Sequence, residues 1–133
     1  MKNLKFLIPL SCCLLVFSCP KDDSIEEEIE QQIKNVTYEV IFFTYIKDTG
    51  NNTSRLSYEI TFSNPNDSAI QGFSKITTNA DGFMTSTISS NKSQCYSIDA
   101  NADCTYSFDA EESHDLGIIN SIELESVSYT ISN

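Results

Sequence analysis

The sequence predicts an all-β domain, a small antiparallel β-sandwich of about seven strands, and three observations predict it. From Asn35 onward apolar and polar residues alternate: Val36, Tyr38, Val40 and Phe42 share one parity, and Leu56, Tyr58, Ile60 and Phe62 alternate with Arg55, Ser57, Glu59 and Thr61. That is the period of a strand with one buried face. The runs are separated by short stretches rich in Asn, Asp, Gly and Pro, the residues that turns require. No strong helical pattern follows Asn35, and strands joined only by turns bury their apolar faces by packing sheet on sheet.

The chain opens with Lys2 and Lys5, then an apolar run that closes on Val16-Phe17-Ser18-Cys19. Phe6 to Phe17 is twelve residues, against the ~20 a helix needs to cross a bilayer. A positive start, a short apolar run and a small residue at its end have the build of a secretory signal. These residues resemble the signal of bacterial lipoproteins read by the second signal peptidase. Val16 and Ser18 match that pattern, and Phe17 is bulkier than the family prefers. The resemblance covers about the first twenty-three residues. It implies that residues 1–18 are removed, that Cys19 carries a diacylglyceryl thioether and an acylated amino group such as a palmitate amide, and that the chain is held to a membrane by this covalent lipid. Cys12 and Cys13 are poorer sites, because cleavage there leaves Leu14-Leu15-Val16-Phe17 at an exposed start.

Behind the cysteine, Lys21-Asp22-Asp23 resembles the short motif of Gram-negative lipoproteins displayed outside the outer membrane. It implies an outer-membrane protein facing the cell surface, with a periplasm-facing position as the alternative. Residues 19–34 read as a tether. Ser24 and Glu27 make a capping box, and Ile25, Ile29 and Ile33 recur at helical spacing, which predicts a partly helical segment ahead of a domain at 35–133.

Within the domain, residues 36–43 and 56–62 form a hairpin around Lys47-Asp48-Thr49-Gly50-Asn51-Asn52, and Asn64-Pro65-Asn66-Asp67 is a turn. Ile70 to Thr78 and Phe83 to Ser90 flank Asn79-Ala80-Asp81-Gly82, whose Asp-Gly suits a tight hairpin; their thin apolar content predicts edge strands. Ser93 to Ile98 and Cys104 to Phe108 read as a further pair. Leu116 to Ile131 reads as the last segment, with a change of parity near Ser126 that predicts a bulge. The expected arrangement is immunoglobulin-like, though the chain has no tryptophan to fill its core.

The net charge is -11. Without Lys2 and Lys5 it becomes -13, six basic side chains against nineteen acidic ones. Such a surface lacks the basic patch that nucleic acid requires, so the expected partners are the membrane, through the lipid, and an unknown protein or glycan. Of five cysteines, Cys12 and Cys13 leave with the signal and Cys19 takes the lipid. Cys95 and Cys104 remain, and outside the cytoplasm they are expected to form a disulfide. Their strand parities differ, which predicts a bulge or a loop-borne cysteine.

Two clusters hold side chains capable of chemistry. Asp99, Asn101 and Asp103 have the alternate spacing of a calcium loop, but the EF-hand pattern fails at Cys104 and Ala110; a weaker calcium site is the only metal chemistry this spacing offers, and no other cofactor is expected. The Glu111-Glu112-Ser113-His114-Asp115 loop holds the sole histidine, without the spacing of a catalytic zinc site or a nucleophile elbow. The expectation is therefore a binding or envelope-accessory module, a hydrolytic or metal-dependent enzyme built on that loop being the alternative. Among six tyrosines, Tyr45, close to the first turn, is the expected exposed contact residue.

Overall fold

The computed structural model describes residues 32–132. Seven antiparallel strands follow one another: β1 (Thr37–Ile46), β2 (Thr53–Ser63), β3 (Ile70–Ala80), β4 (Phe83–Ile88), β5 (Ser97–Ile98), β6 (Asp103–Ser113) and β7 (Ile122–Ile131). One sheet has the order β1-β2-β6, and in the other β3 lies between β7 and the short pair β4 and β5. This is a small β-sandwich. Its strand order matches A-B-E and C′-C-F of an immunoglobulin sandwich, with no counterpart of strand G among the described residues.

The first hairpin forms as its alternation predicts, with one change. A register shift between Val40 and Phe42 makes Ile41 a bulge, so Phe43, and not Phe42, lies inward opposite Tyr58. Phe42 faces outward opposite Glu59, and Tyr38, although on the inner parity, is half exposed at the sheet edge. The second hairpin turns on Asp81 and Gly82, both at positive φ (48° and 92°), as a two-residue turn of matching twist requires. The expected bulge near Ser126 is present: Ser126 opposes Thr77 and Leu124 opposes Thr78, leaving Glu125 as the extra residue.

Three strand expectations need correction. β3 is not an edge but the centre of its sheet, because Gly72 to Ala80 pair with Ile131 to Ile122 of β7. Residues 93–98 do not pair with 104–108; only Ser97 and Ile98 are strand, and they pair with Gln71 and Ile70. The last strand starts at Ile122, and residues 117–121 form a loop. Of the helix expected in the tether, residues 24–31 lie outside the described residues; Gln32, Ile33 and Lys34 have no regular secondary structure.

β2 supplies Tyr58, Ile60 and Phe62 to the core, facing Ile70 and Ile76 of β3, Ile98 and Val127. Along one cross-strand row the rings of Phe43, Tyr58 and Phe108 stack with centroids 5.6 and 4.9 Å apart, an arrangement worth ~0.5–1.5 kcal/mol per pair beyond area burial. Cys95 is loop-borne, at φ 60°, and joins Cys104 at the start of β6 with a Cα–Cα distance of 5.5 Å. The disulfide ties the loop that feeds one sheet to a strand of the other. Closing so short a loop contributes about 2–3 kcal/mol in the chain-entropy picture.

Burial, reinforced by nearby Tyr106, pushes the Tyr58 phenol up to about 12. The unfolded phenol titrates near ~10, so above that pH the unfolded state loses a proton that the folded state retains. Stability fully present below pH ~10 is therefore lost as pH rises toward the folded value, approaching ~3 kcal/mol from this group. Urea midpoints measured at pH about 9 and about 11 should fall between the two, and Tyr58→Phe should reduce that fall, Tyr129, whose phenol burial also raises, contributing the rest. An unchanged fall in Tyr58→Phe would assign it elsewhere.

Candidate functional site

The two ends of the sandwich are built differently. At the end where the chain enters, Asn64 and Asn66 are buried and form a polar node. Asn64 Nδ2 donates to the carbonyls of Ser68 (2.9 Å), Ile98 (3.2 Å) and Asp99 (2.9 Å), and its Oδ1 accepts from Asn66 N and Nδ2. The Asn66 side chain in turn accepts from Lys34 N at 2.7 Å and donates to Lys34 O at 3.0 Å. The Asn-Pro-Asn turn thus binds the entering chain, the β2–β3 crossover and the turn before β6. No buried side-chain polar atom among the described residues lacks a partner.

The opposite end gathers residues 47–52, the Asp81-Gly82 turn and residues 114–121. Here polar bonds hold one loop in place. Tyr45 Oη donates to Ile119 O at 2.8 Å, and Lys47 Nζ donates to Asn120 Oδ1 at 2.7 Å. The Asp81 carboxylate accepts from the backbone N–H of Asn120 (2.7 Å) and of Ser121 (2.9 Å). These hydrogen bonds, the Asn120 amide foremost, hold the Asp81 carboxyl below its ordinary range. A short 3₁₀ turn at His114–Leu116 is set by His114, whose Nε2 lies 3.0 Å from Lys47 O and whose N–H donates to Asn52 O.

So fixed, the loop presents Ile118 and Ile119, 54% and 39% exposed. Both line an open cleft of about 400 Å³ with Ser54, Glu112, Ser113 and Gly117. Sequence reading missed this pair because it absorbed both residues into the last strand; the signal available was two adjacent isoleucines just after a glycine, which break the alternation. Tyr45, expected as an exposed contact, is half-buried and its hydroxyl supports the loop from beneath.

Of the predicted Glu111–Asp115 loop, Glu112 and Ser113 line this cleft, and the remaining predicted side chains are engaged elsewhere. Glu111 accepts from the hydroxyls of Thr49 and Thr53, Ser113 donates to Asp115, and His114 is engaged with backbone. Asp99 and Asn101 lie at the entry end: the Asp99 carbonyl accepts from Asn64, Asn101 Nδ2 donates to Asp67 at 3.0 Å, and Asp103 begins β6 opposite Ser63. Among the described residues no three His, Cys, Asp or Glu side chains are grouped to hold a metal ion. Cys19, Lys21, Asp22 and Asp23 lie outside the described residues. No helix among the described residues is long and apolar enough to cross a membrane. Comparison of the chain with protein-family models, with curated proteins and with solved structures gave no match.

Proposed function

We propose that this chain is an outer-membrane lipoprotein, anchored through Cys19 and displayed at the cell surface by Lys21-Asp22-Asp23, whose sandwich works as a binding module for a protein partner. The carrying observation is the placement of Ile118 and Ile119. They are exposed on a loop whose backbone is fixed by Tyr45, Lys47 and Asp81, at the end of the sandwich opposite Lys34, where the chain enters. A tether at one end leaves the other free to meet a partner. Rigid apolar side chains lose little freedom on contact, which favours binding over ordering. Ile118 and Ile119 offer adjacent aliphatic side chains that make no hydrogen bonds, which suits the apolar centre of a protein interface better than a hydroxyl-rich glycan. The Cys95–Cys104 disulfide agrees with export to an oxidising compartment.

The test compares capture from intact envelopes by the full-length chain and by Ile118→Asp/Ile119→Asp. The expected result is that a discrete protein captured by the first is lost by the second, while the melting temperature stays the same, since both side chains are exposed. Equal capture by both would remove the loop from the reading. Retained fatty-acid labelling in Cys19→Ala would remove the anchor.

A further inference from the structure

Among the described residues four strands of six or more residues have an open edge, and three are protected. β1 carries Glu39 and a bulge at Ile41. β7 carries Glu123 and a bulge at Glu125. β6 carries Asp103, Asp109, Glu111 and Glu112, and its Ser107 N–H is taken by the Gln94 side chain at 2.8 Å. Charges, bulges and covering loops are the devices that keep sheet edges from pairing with other chains.

β4 has none of them. Its sequence Phe-Met-Thr-Ser-Thr-Ile contains no charge and no proline, every residue is exposed, and its ladder with β3 is unbroken from Ala80↔Phe83 to Lys75↔Ile88. The two-residue turn closes on the hydrogen-bonded pair Ala80 and Phe83, and the ladder is still in phase at Ser89, whose N–H donates to Ser74 O at 2.9 Å. The N–H and C=O of Met84, Ser86 and Ile88 therefore point away from the sheet. Met84 and Ile88 put 55% and 65% exposed apolar side chains on the same outer face, and Phe83 is 78% exposed.

We infer that β4 pairs antiparallel with β4 of a second copy, with Ser86 on the two-fold axis. An antiparallel pair matches outward-pointing residues with outward-pointing residues. Centred on Ser86, that rule sets Met84 opposite Ile88 of the other copy at both ends and Thr85 opposite Thr87, so the strand complements itself in hydrogen bonds and in apolar contact. Charge selects the occupant. In a chain of net charge -11 two copies repel wherever acidic faces meet, and of these four open edges only β4 carries no acid. The pairing consumes the one unprotected edge of each copy and leaves a continuous sheet ending on both sides in β7, so it closes at two chains and does not propagate.

Opposed residues of a hydrogen-bonded antiparallel pair lie ~5.5 Å apart between Cα atoms, within disulfide range. The full-length chain carrying Ser86→Cys, purified in detergent, is expected to run on a non-reducing gel at twice its mass and to collapse with reductant. The unaltered chain, which keeps every native cysteine, and Met84→Cys, which faces Ile88, are expected to stay single. Light scattering of the unaltered chain should give two protein chains per particle. Ser86→Pro, which removes an N–H that the β3 ladder does not use, should give one, with an unchanged circular-dichroism spectrum and a melting temperature that no longer depends on protein concentration. An unaltered chain that scatters as a monomer would overturn the inference. So would Ser86→Cys that cross-links no more than Met84→Cys, or that joins a chain of different mass, the sign of a foreign strand on this edge.

Discussion

Asn64→Ala is expected to lower stability by about 3–5 kcal/mol, a large fraction of what holds a domain of this size together. The alanine leaves the carbonyls of Ser68, Ile98 and Asp99 without their shared donor, and the N–H and side-chain amide of Asn66 without their acceptor. Asn64 is almost completely buried, so water cannot replace those bonds without opening the end of the sandwich. The measurement is urea unfolding, where the midpoint should fall with little change in slope. Adding Asn66→Ala should cost less than it does alone, because the two side chains share bonds. A loss below about 1 kcal/mol in Asn64→Ala would mean that the node is decorative.

Gly72→Ala is expected to be similarly damaging, for steric reasons. A Cβ at this buried position would fall on the Thr130 carbonyl oxygen and within 2.5 Å of Tyr129 Cε1. The ring cannot swing aside freely, because the Tyr129 hydroxyl donates to the carbonyls of Cys95 at 2.9 Å and Tyr96 at 3.1 Å. Relief requires β3 and β7 to separate, and overpacking of this kind costs about 1–3 kcal/mol, more where backbone is the obstacle. Gly82→Ala is the internal comparison: nothing lies near its added Cβ, and only its φ of 92° resists, at ~1–2 kcal/mol. Thermal melts of the two variants should rank Gly72→Ala as the less stable. The reverse order would show that the β3–β7 contact yields more easily than the turn.

What could be read in the sequence was what neighbours in the chain decide. Alternation over residues 36–43 and 56–62 and the Asp-Gly pair at 81–82 gave both hairpins, since each strand pairs with the next. The centrality of β3 was hidden because its long partner is β7, with Gly72 opposite Ile131, and nothing local in Ile70 to Ala80 announces a partner so distant. The bulge at Ile41 was hidden too: Ile41, Phe42 and Phe43 are all apolar, so which of them turns inward is decided by Tyr58 across the sheet. Asn64 and Asn66 read only as turn formers, because the acceptors of Asn64 at Ile98 and Asp99 and that of Asn66 at Lys34 lie more than thirty residues away. The candidate site was less legible than the fold. A strand announces itself by period, whereas an exposed apolar pair in a loop acquires meaning only when Tyr45, Lys47 and Asp81 are seen to hold it out.

The asparagine node also decides how the sandwich carries load. Were the domain held through Cys19 as proposed, drag would enter at Lys34, where the backbone is gripped on both its N–H and its C=O by one side chain, that of Asn66. Asn64 relays the pull to β2 directly and to the turn between β5 and β6 through its carbonyl contacts, and the Cys95–Cys104 bond lies just beyond that turn. Tension is therefore shared between both sheets at once, and β1 is not peeled away from its edge one bond at a time.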